Sequence, residues 1–397
     1  MKKNKIITRP IMILSLVSLF TDIASEMLYP VMPVYLKSIG FTVFMIGILE
    51  GLAEAVAGLS KGYFGNLSDK TRKRVPFIRA GYILSALAKP MTALFLYPAW
   101  VFFARTIERF GKGIRTSARD AFLSDMTAPE NKGRVFGFHR SMDTVGAAMG
   151  PLLALIFLAF LPGQYRWLFV IAFIPGVVAI FLTLIIKERA SHNGSSGSHK
   201  VSFFSFLKYW KTAPRDYRWL IGGLLAFVLF NSSDAFLLLF LKARGYSDTA
   251  MIGFYIFYNV MYALLSYPVG IISDKVGQKR ILAGGLLVFA MVYGCYGFVS
   301  GTIAFGILFL FYALYAAATE GISKALISNL VASSDTATAI GFYNSFASIF
   351  ALAASSLGGF IWFEYSPQHM LVFSAIGTFL TVIYLTVVFG RKAKVIQ

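Results

Sequence analysis

The chain has 397 residues, 57% of them hydrophobic and only 14% charged, with a mean hydropathy of +0.69. These values exclude an ordinary pair of soluble domains and point to a lipid bilayer. The net charge of +19 is no signal for nucleic acid, because the basic residues are not gathered on one water-facing domain. A β-barrel is excluded too. The apolar blocks run to roughly 20 residues, enough to cross about 30 Å of hydrocarbon as a helix, and do not alternate polar with apolar residues as barrel strands do.

Twelve such blocks follow one another, at 11–36, 44–66, 76–96, 98–124, 135–160, 165–186, 218–241, 250–272, 281–300, 303–330, 337–363 and 367–390. The first runs into Asp22, Glu26 and Pro30 without a small-residue cleavage site, so it reads as a span and not a signal peptide. Basic groups fall mostly on one side: Lys2, Lys3, Lys5 and Arg9, then Lys70 to Arg74, the 187–217 connection, Lys275 to Arg280, and Arg391 to Lys394. That bias places both termini in the cytoplasm of a bacterial-type inner membrane. The connection divides the chain into 1–186, a linker over 187–217, and 218–397. Its first part, Ala190 to His199, reads as flexible, and its second, Val201 to Lys211, as a short amphipathic helix lying at the cytoplasmic interface. The one cysteine, Cys295, is expected to fill core. No HExxH, GxSxG or GxxxxGK[ST] pattern points to an enzyme, and no metal or cofactor is expected.

The two halves repeat. Gly65-Asn-Leu-Ser-Asp69-Lys after the second span matches Gly270-Ile-Ile-Ser-Asp274-Lys after the eighth. Parallel repeats of six spans joined by a long loop are one architecture of carriers that rock two halves around a site at the membrane midplane. Within the fifth span Gly137, Gly146, Gly150 and Pro151 form a G-x8-G-x3-G-P series suited to close helix packing and a kink.

With these motifs the chain resembles the major facilitator superfamily over essentially its whole length. The Gly65 to Arg74 loop is similar to that family's first signature, with Arg72 where a second glycine is usual; the second copy keeps it as Gly277. The Gly137 to Pro151 series resembles the signature of the family's proton-coupled drug and metabolite antiporters. The resemblance implies an all-α membrane protein of twelve transmembrane helices in two pseudo-symmetric halves. It also implies alternating access, with a conformational latch formed by Gly65, Asp69, Arg72, Arg74, Gly270 and Asp274. The fourth span departs from the family by being far more basic, from Arg105 to Arg115.

Ionisable residues inside spans are the candidate site, since each costs about 2.5–3.5 kcal/mol at a bilayer centre on insertion scales. Half of the 18 acids lie there: Asp22, Glu26, Glu50, Glu54, Glu108, Asp120, Asp143, Asp234 and Glu320. Most belong to the first half, as do Lys61, Arg79, Lys89 and Arg140. At about 100° per residue, Arg105, Glu108, Arg109, Lys112, Arg115, Arg119 and Asp120 fall within an arc of about 140°. Five cations on one stripe would cost on the order of 12–18 kcal/mol against lipid, so they line water or face carboxylates. The expected substrate-binding set is Arg105, Arg109, Lys112, Asp22, Glu26, Asp234 and Tyr258. The expected proton-coupling set is Glu26, Glu50, Glu54, Glu108, His139 and Asp143, because clustered buried acids and histidine titrate near neutrality. Glu108 with Lys112, and Glu320 with Lys324, are spaced to pair along their helices. Tyr255, Tyr262, Tyr312, Tyr315 and Tyr343 add an aromatic wall.

The expected function is therefore export of an amphipathic or anionic organic small molecule in exchange for protons, by a monomer in the lipid bilayer. The alternatives are uptake or facilitated movement of an organic anion, or transport of a divalent cation on Asp22, Glu26, Glu50 and Glu54.

Overall fold

A computed structural model describes residues 6–29, 31–32, 35–36, 39–95, 97–188 and 202–390, without the side chains of residues 43, 44, 46–48, 50, 248 and 249. The Glu50 side chain thus lies outside the described residues, as do the charged tails at either end.

Among the described residues every regular element is helical. The helices are α1 (Arg9–Glu26), α2 (Val43–Thr71), α3 (Val75–Leu94), α4 (Pro98–Asp125), α5 (Lys132–Phe160), α6 (Tyr165–Ile185), the single turn α7 (Tyr209–Thr212), α8 (Arg215–Phe230), α9 (Ala235–Ala243), α10 (Asp248–Val276), α11 (Gln278–Tyr296), α12 (Thr302–Leu330), α13 (Thr336–Glu364) and α14 (Pro367–Gly390). With α8 and α9 counted as one span and α7 as linker, these are twelve membrane spans. The eight spans from α5 onward are long and apolar enough to cross a bilayer on composition alone. The four before them, α1 to α4, are where the intramembrane charges concentrate, which lowers their hydropathy.

Two spans are interrupted where continuous helix is expected. α1 ends at Glu26; Tyr29 N–H reaches back to Ser25, and helical bonding resumes with Met32 N–H to Leu28 O at 2.8 Å and Tyr35 N–H to Val31 O at 2.9 Å. Pro30 and Pro33 stand in this stretch of sequence and each removes a backbone donor. The seventh span opens at Asn231-Ser-Ser-Asp234 between α8 and α9. No proline causes that break; Asn, Ser and Asp side chains compete with the backbone for hydrogen bonds.

The chain forms two compact units. The first comprises 1–128, 142–212 and 332–345, the second 129–141, 213–331 and 346–397. In the first, Met27, Tyr35, Leu49, Leu168 and Phe169 belong to one buried apolar core. Gly81 of α3 and Gly111 of α4 lie where a Cβ on either would press on the other's backbone, so the two helices meet at close range. In the second, aromatic rings fill the centre: Phe289 stacks on Tyr293 with centroids 4.1 Å apart, and Tyr258 lies 5.1 Å from Tyr312. Cys295 is exposed on α11, not in the core as expected.

The expected amphipathic helix of the linker is shorter than its pattern suggests, a 3-10 turn over Ser205–Lys208 followed by α7. Phe206 and Tyr209 turn inward, Phe206 onto Gly62, while Phe203, Phe204, Leu207 and Trp210 stay exposed. Phe203 stacks on Tyr63 and Trp210 on Phe342, so the segment is clamped to the first unit. Burial, with Asp335 and Asp69 nearby, holds the Tyr209 hydroxyl above its ordinary pKa.

Candidate functional site

The polar centre of the first unit is built on the α4 stripe. Close approach at Gly81 and Gly111 carries Ser85 and Tyr82 of α3 onto α4, where Arg115 bonds the Ser85 hydroxyl and lies over the Tyr82 ring, 4.5 Å from its centroid. Lys89, one turn beyond Ser85 and 2% exposed, donates to Ser85 O at 3.1 Å and to Glu108 at 3.4 Å. Arg105 grips the other Glu108 oxygen at 2.5 Å. Glu108 is therefore held between Arg105 and Lys89, whereas its sequence spacing suggests Lys112.

Lys112 is exposed. Arg109 reaches Glu54 of α2 at 3.6 Å, and Lys61, two turns along α2, reaches the same carboxylate at 3.7 Å; the Glu54 side chain keeps 45% of its exposure. Arg119 pairs with its buried neighbour Asp120 at 3.0 Å and donates to Ser18 of α1 at 3.0 Å. The α1 acids complete the cluster. Asp22 lies in the field of Asp143, Glu26, Lys112 and Arg115, and Glu26 in that of Lys112, Arg109, Glu108 and Arg105. Gly146 and Gly150 of α5 lie directly against α1: a Cβ on Gly146 would stand 3.0 Å from the Asp22 Cβ, and one on Gly150 would stand 2.8 Å from the Glu26 Cβ. The glycine series thus seats α5 on the acids of α1, one residue before the mid-helix Pro151.

Asp69 sits at the end of α2 and takes four kinds of donor. Thr338 gives its N–H at 2.6 Å and its hydroxyl at 2.7 Å, Ala337 its N–H at 3.3 Å, and Arg74 its guanidinium at 2.5 Å. It caps the N-terminus of α13, where exposed amides and the helix dipole favour an anion. Gly65, one turn earlier, stands against the Ala337 backbone, which no side chain there would allow. Arg74 also reaches Asp125 at 3.2 Å and Ser333 O at 3.3 Å. Arg72 is exposed at the helix C-cap with φ +52, the left-handed region that glycine occupies readily. Gly277, its counterpart, has φ +107. We expect Arg72→Gly to raise stability by about 1 kcal/mol by relieving that conformation; an unchanged or lower unfolding temperature would contradict it.

The second unit repeats the cap. Asp274 accepts the N–H groups of Gly133 and Arg134, both at 2.8 Å, at the start of α5, while Gly270 and Gly137 clear space for the two backbones. Elsewhere in this unit Arg140 forms an ion pair with Glu320 and donates to the Tyr262 hydroxyl at 2.6 Å. The Tyr312 hydroxyl donates to Asp234 at 2.6 Å, and Asn231 to the Tyr315 hydroxyl at 3.0 Å. Tyr258 is buried beside Tyr262 and Tyr312. His139 and Asp143 are both buried on α5, but His139 belongs to the second unit and Asp143 to the first. No cluster of three or more His, Cys, Asp or Glu able to hold a metal occurs among the described residues.

Sequence reasoning missed Lys89 as the partner of Glu108, Ser85 and Tyr82 as neighbours of Arg115, and Thr338 as the partner of Asp69. Only the unusual presence of an intramembrane lysine signalled the first of these.

A bundle of twelve membrane helices with a charged interior and repeated helix-capping aspartates is a carrier of the membrane-embedded, multi-pass kind. Residues 14–261 and 254–396 match the Major Facilitator Superfamily, and the chain belongs to that family. It is a transporter of small molecules, not an enzyme. It is 30% identical over 386 residues to an uncharacterized MFS-type transporter of Methanocaldococcus jannaschii, covering 94% of each chain. It is 24% identical over 195 residues to citrate exporter 1 of Aspergillus niger, covering 47% of this chain and 37% of that one. Among solved structures it is similar to the human organic anion transporter MFSD10 (TETRAN), with a TM-score of 0.77 at 18% identity over 95% of this chain and 99% of that one.

Proposed function

We propose that this chain is a proton-coupled antiporter that exports an amphipathic or anionic organic small molecule by alternating access between its two six-span halves, 1–186 and 218–397. The observation that supports this most is the α4 stripe: Arg105, Arg109, Lys112, Arg115 and Arg119 stand on one helix face amid the acids of α1 and α2, and Lys112 is exposed. In this reading Arg109 and Lys112 hold the anionic end of the substrate. Asp22, Glu26, Glu54 and Asp143 carry protons, and Glu108 clamps Arg105 and Lys89 in place. The relative that is a citrate exporter supports both the anionic class and the outward direction. Asp69 and Asp274 each cap a helix start, and we assign them to latches that release in turn during the cycle. The basic bias of the connecting segments supports an orientation with both termini in the cytoplasm.

The test is flux in proteoliposomes under an imposed pH gradient across a panel of organic anions. Substrate-dependent proton movement is expected. Arg109→Ala should weaken apparent affinity about tenfold or more, the worth of a charge-assisted hydrogen bond, and Glu26→Gln should uncouple protons while leaving the fold intact. Coupled transport at the normal level in both variants would defeat this assignment, and anion accumulation indifferent to the pH gradient would favour facilitated movement.

A further inference from the structure

The broken seventh span has an uneven hydrogen-bond balance. Around the break Asn231 N–H bonds the Phe227 and Val228 carbonyls, Ala235 N–H the Ser233 hydroxyl at 3.3 Å, Phe236 N–H Ser233 O at 3.0 Å and Leu237 N–H Asp234 O at 3.1 Å. The Asn231 amide nitrogen is taken by Tyr315. Two side-chain acceptors stand apart from this pattern. Asn231 Oδ1 is buried without a donor, and Asp234, an exposed residue, has the Tyr312 hydroxyl as the side-chain donor to its carboxylate. α8 also ends at this point, adding the negative end of its dipole.

The charges around the break do not correct this. Arg140 is bound to Glu320 and to the Tyr262 hydroxyl, with its guanidinium over the Tyr262 ring, 5.4 Å from the centroid. Lys324 lies one turn beyond Glu320 on α12. Among the described residues no cation is in ion-pair contact with the Asp234 carboxylate, whose side-chain donor is a neutral hydroxyl, so a cation entering beside it is favoured. Tyr258, Tyr312 and Tyr315 stand around it, with neighbouring ring centroids 5.1 and 5.2 Å apart, as a wall of π-faces.

We propose that Asn231 and Asp234, with Tyr258, Tyr312 and Tyr315, form a binding subsite for an alkylammonium group that carries N–H donors. An ammonium supplies the charge that Asp234 lacks and the hydrogen that Asn231 Oδ1 lacks, and its organic substituent packs on the tyrosines. This rests on the reading of the chain as a carrier of organic molecules, and it extends the substrate class to compounds bearing an amine.

The test uses the full-length protein in detergent, with phenethylammonium and its N,N,N-trimethyl analogue as probes and calorimetric binding as readout. Phenethylammonium is expected to bind, and the trimethyl analogue to bind at least tenfold more weakly because it has no N–H. Asp234→Asn should lower affinity for phenethylammonium tenfold or more, the loss expected for a charge-assisted bond, with an unchanged unfolding temperature in detergent reporting an intact fold. Equal binding of the two probes, unchanged binding by Asp234→Asn, or no binding by the wild type would each overturn the subsite. Proton-coupled anion flux measured alongside would still stand in those cases, so a failure of the subsite is separable from a failure of the carrier reading.

Discussion

Replacing Asp69 with alanine is expected to destabilise the protein by about 3–5 kcal/mol, the cost of removing the nearer carboxylate of a buried ion pair together with a helix cap. Asp69 and Arg74 are both largely buried, and the variant leaves the guanidinium with Asp125 alone as a carboxylate partner among the described residues while also uncapping α13 at Ala337 and Thr338. Asp274→Ala makes a milder lesion. Asp274 caps α5 through two backbone amides and Gln278, with no ion pair to strand, so a cap loss of about 1–2 kcal/mol is expected. Unfolding of both variants in one detergent tests the asymmetry. Equal losses would mean that the repeated motifs carry equal energies and that Arg74 adds nothing. Asp69→Asn is informative in between: its oxygen can still accept from Thr338, but its amide faces Arg74 donor to donor. If the cap dominates, the asparagine variant stays near the wild type; if the ion pair dominates, it falls with the alanine variant.

The membrane-spanning architecture was legible because every span must satisfy its own backbone in hydrocarbon, which forces long helices and therefore long apolar runs. The repeat was legible for a related reason. Gly65 and Gly270 must be small where backbones meet, and Asp69 and Asp274 must be anionic where a helix begins, so the same letters recur. The α4 stripe followed from helical geometry alone. Partners across helices did not follow. Glu108 has Lys112 one turn away, yet Lys89 reaches it because Gly81 and Gly111 draw α3 and α4 together, a fact of tertiary packing that no local spacing contains. Glu320 likewise has Lys324 one turn away and is paired with Arg140 of α5. At the end of α2, Arg74 and not Arg72 makes the side-chain bond to Asp69, since Arg72 caps the helix in a left-handed turn that leaves its side chain exposed. The break at Asn231 to Asp234 was hidden because it contains no proline or glycine. Polar side chains there compete with the backbone for its hydrogen bonds, as Ser233 does at Ala235 N–H.

Glu108 and Glu54 are both acids beside the α4 cations, and opposite outcomes are expected when each is neutralised. Glu108→Gln should destabilise by about 3–5 kcal/mol, because Lys89 and Arg105, with side chains 1% and 7% exposed, lose a carboxylate they cannot replace from solvent. Glu54→Gln should change stability by less than about 1 kcal/mol, since that side chain is 45% exposed and its pairs with Arg109 and Lys61 are screened by water. A group that loads and releases protons in every cycle must survive neutralisation, and on that criterion Glu54 is fit for coupling and Glu108 is not. The double variant Glu108→Gln with Lys89→Met removes one stranded cation and should recover part of the loss, as coupled neighbours do. If Glu108→Gln is instead as stable as Glu54→Gln, then Lys89 and Arg105 have found other partners. Glu108 would then be free to carry the proton itself, and the division between a fixed clamp on α3 and α4 and a titrating edge on α1 and α2 would have to be redrawn.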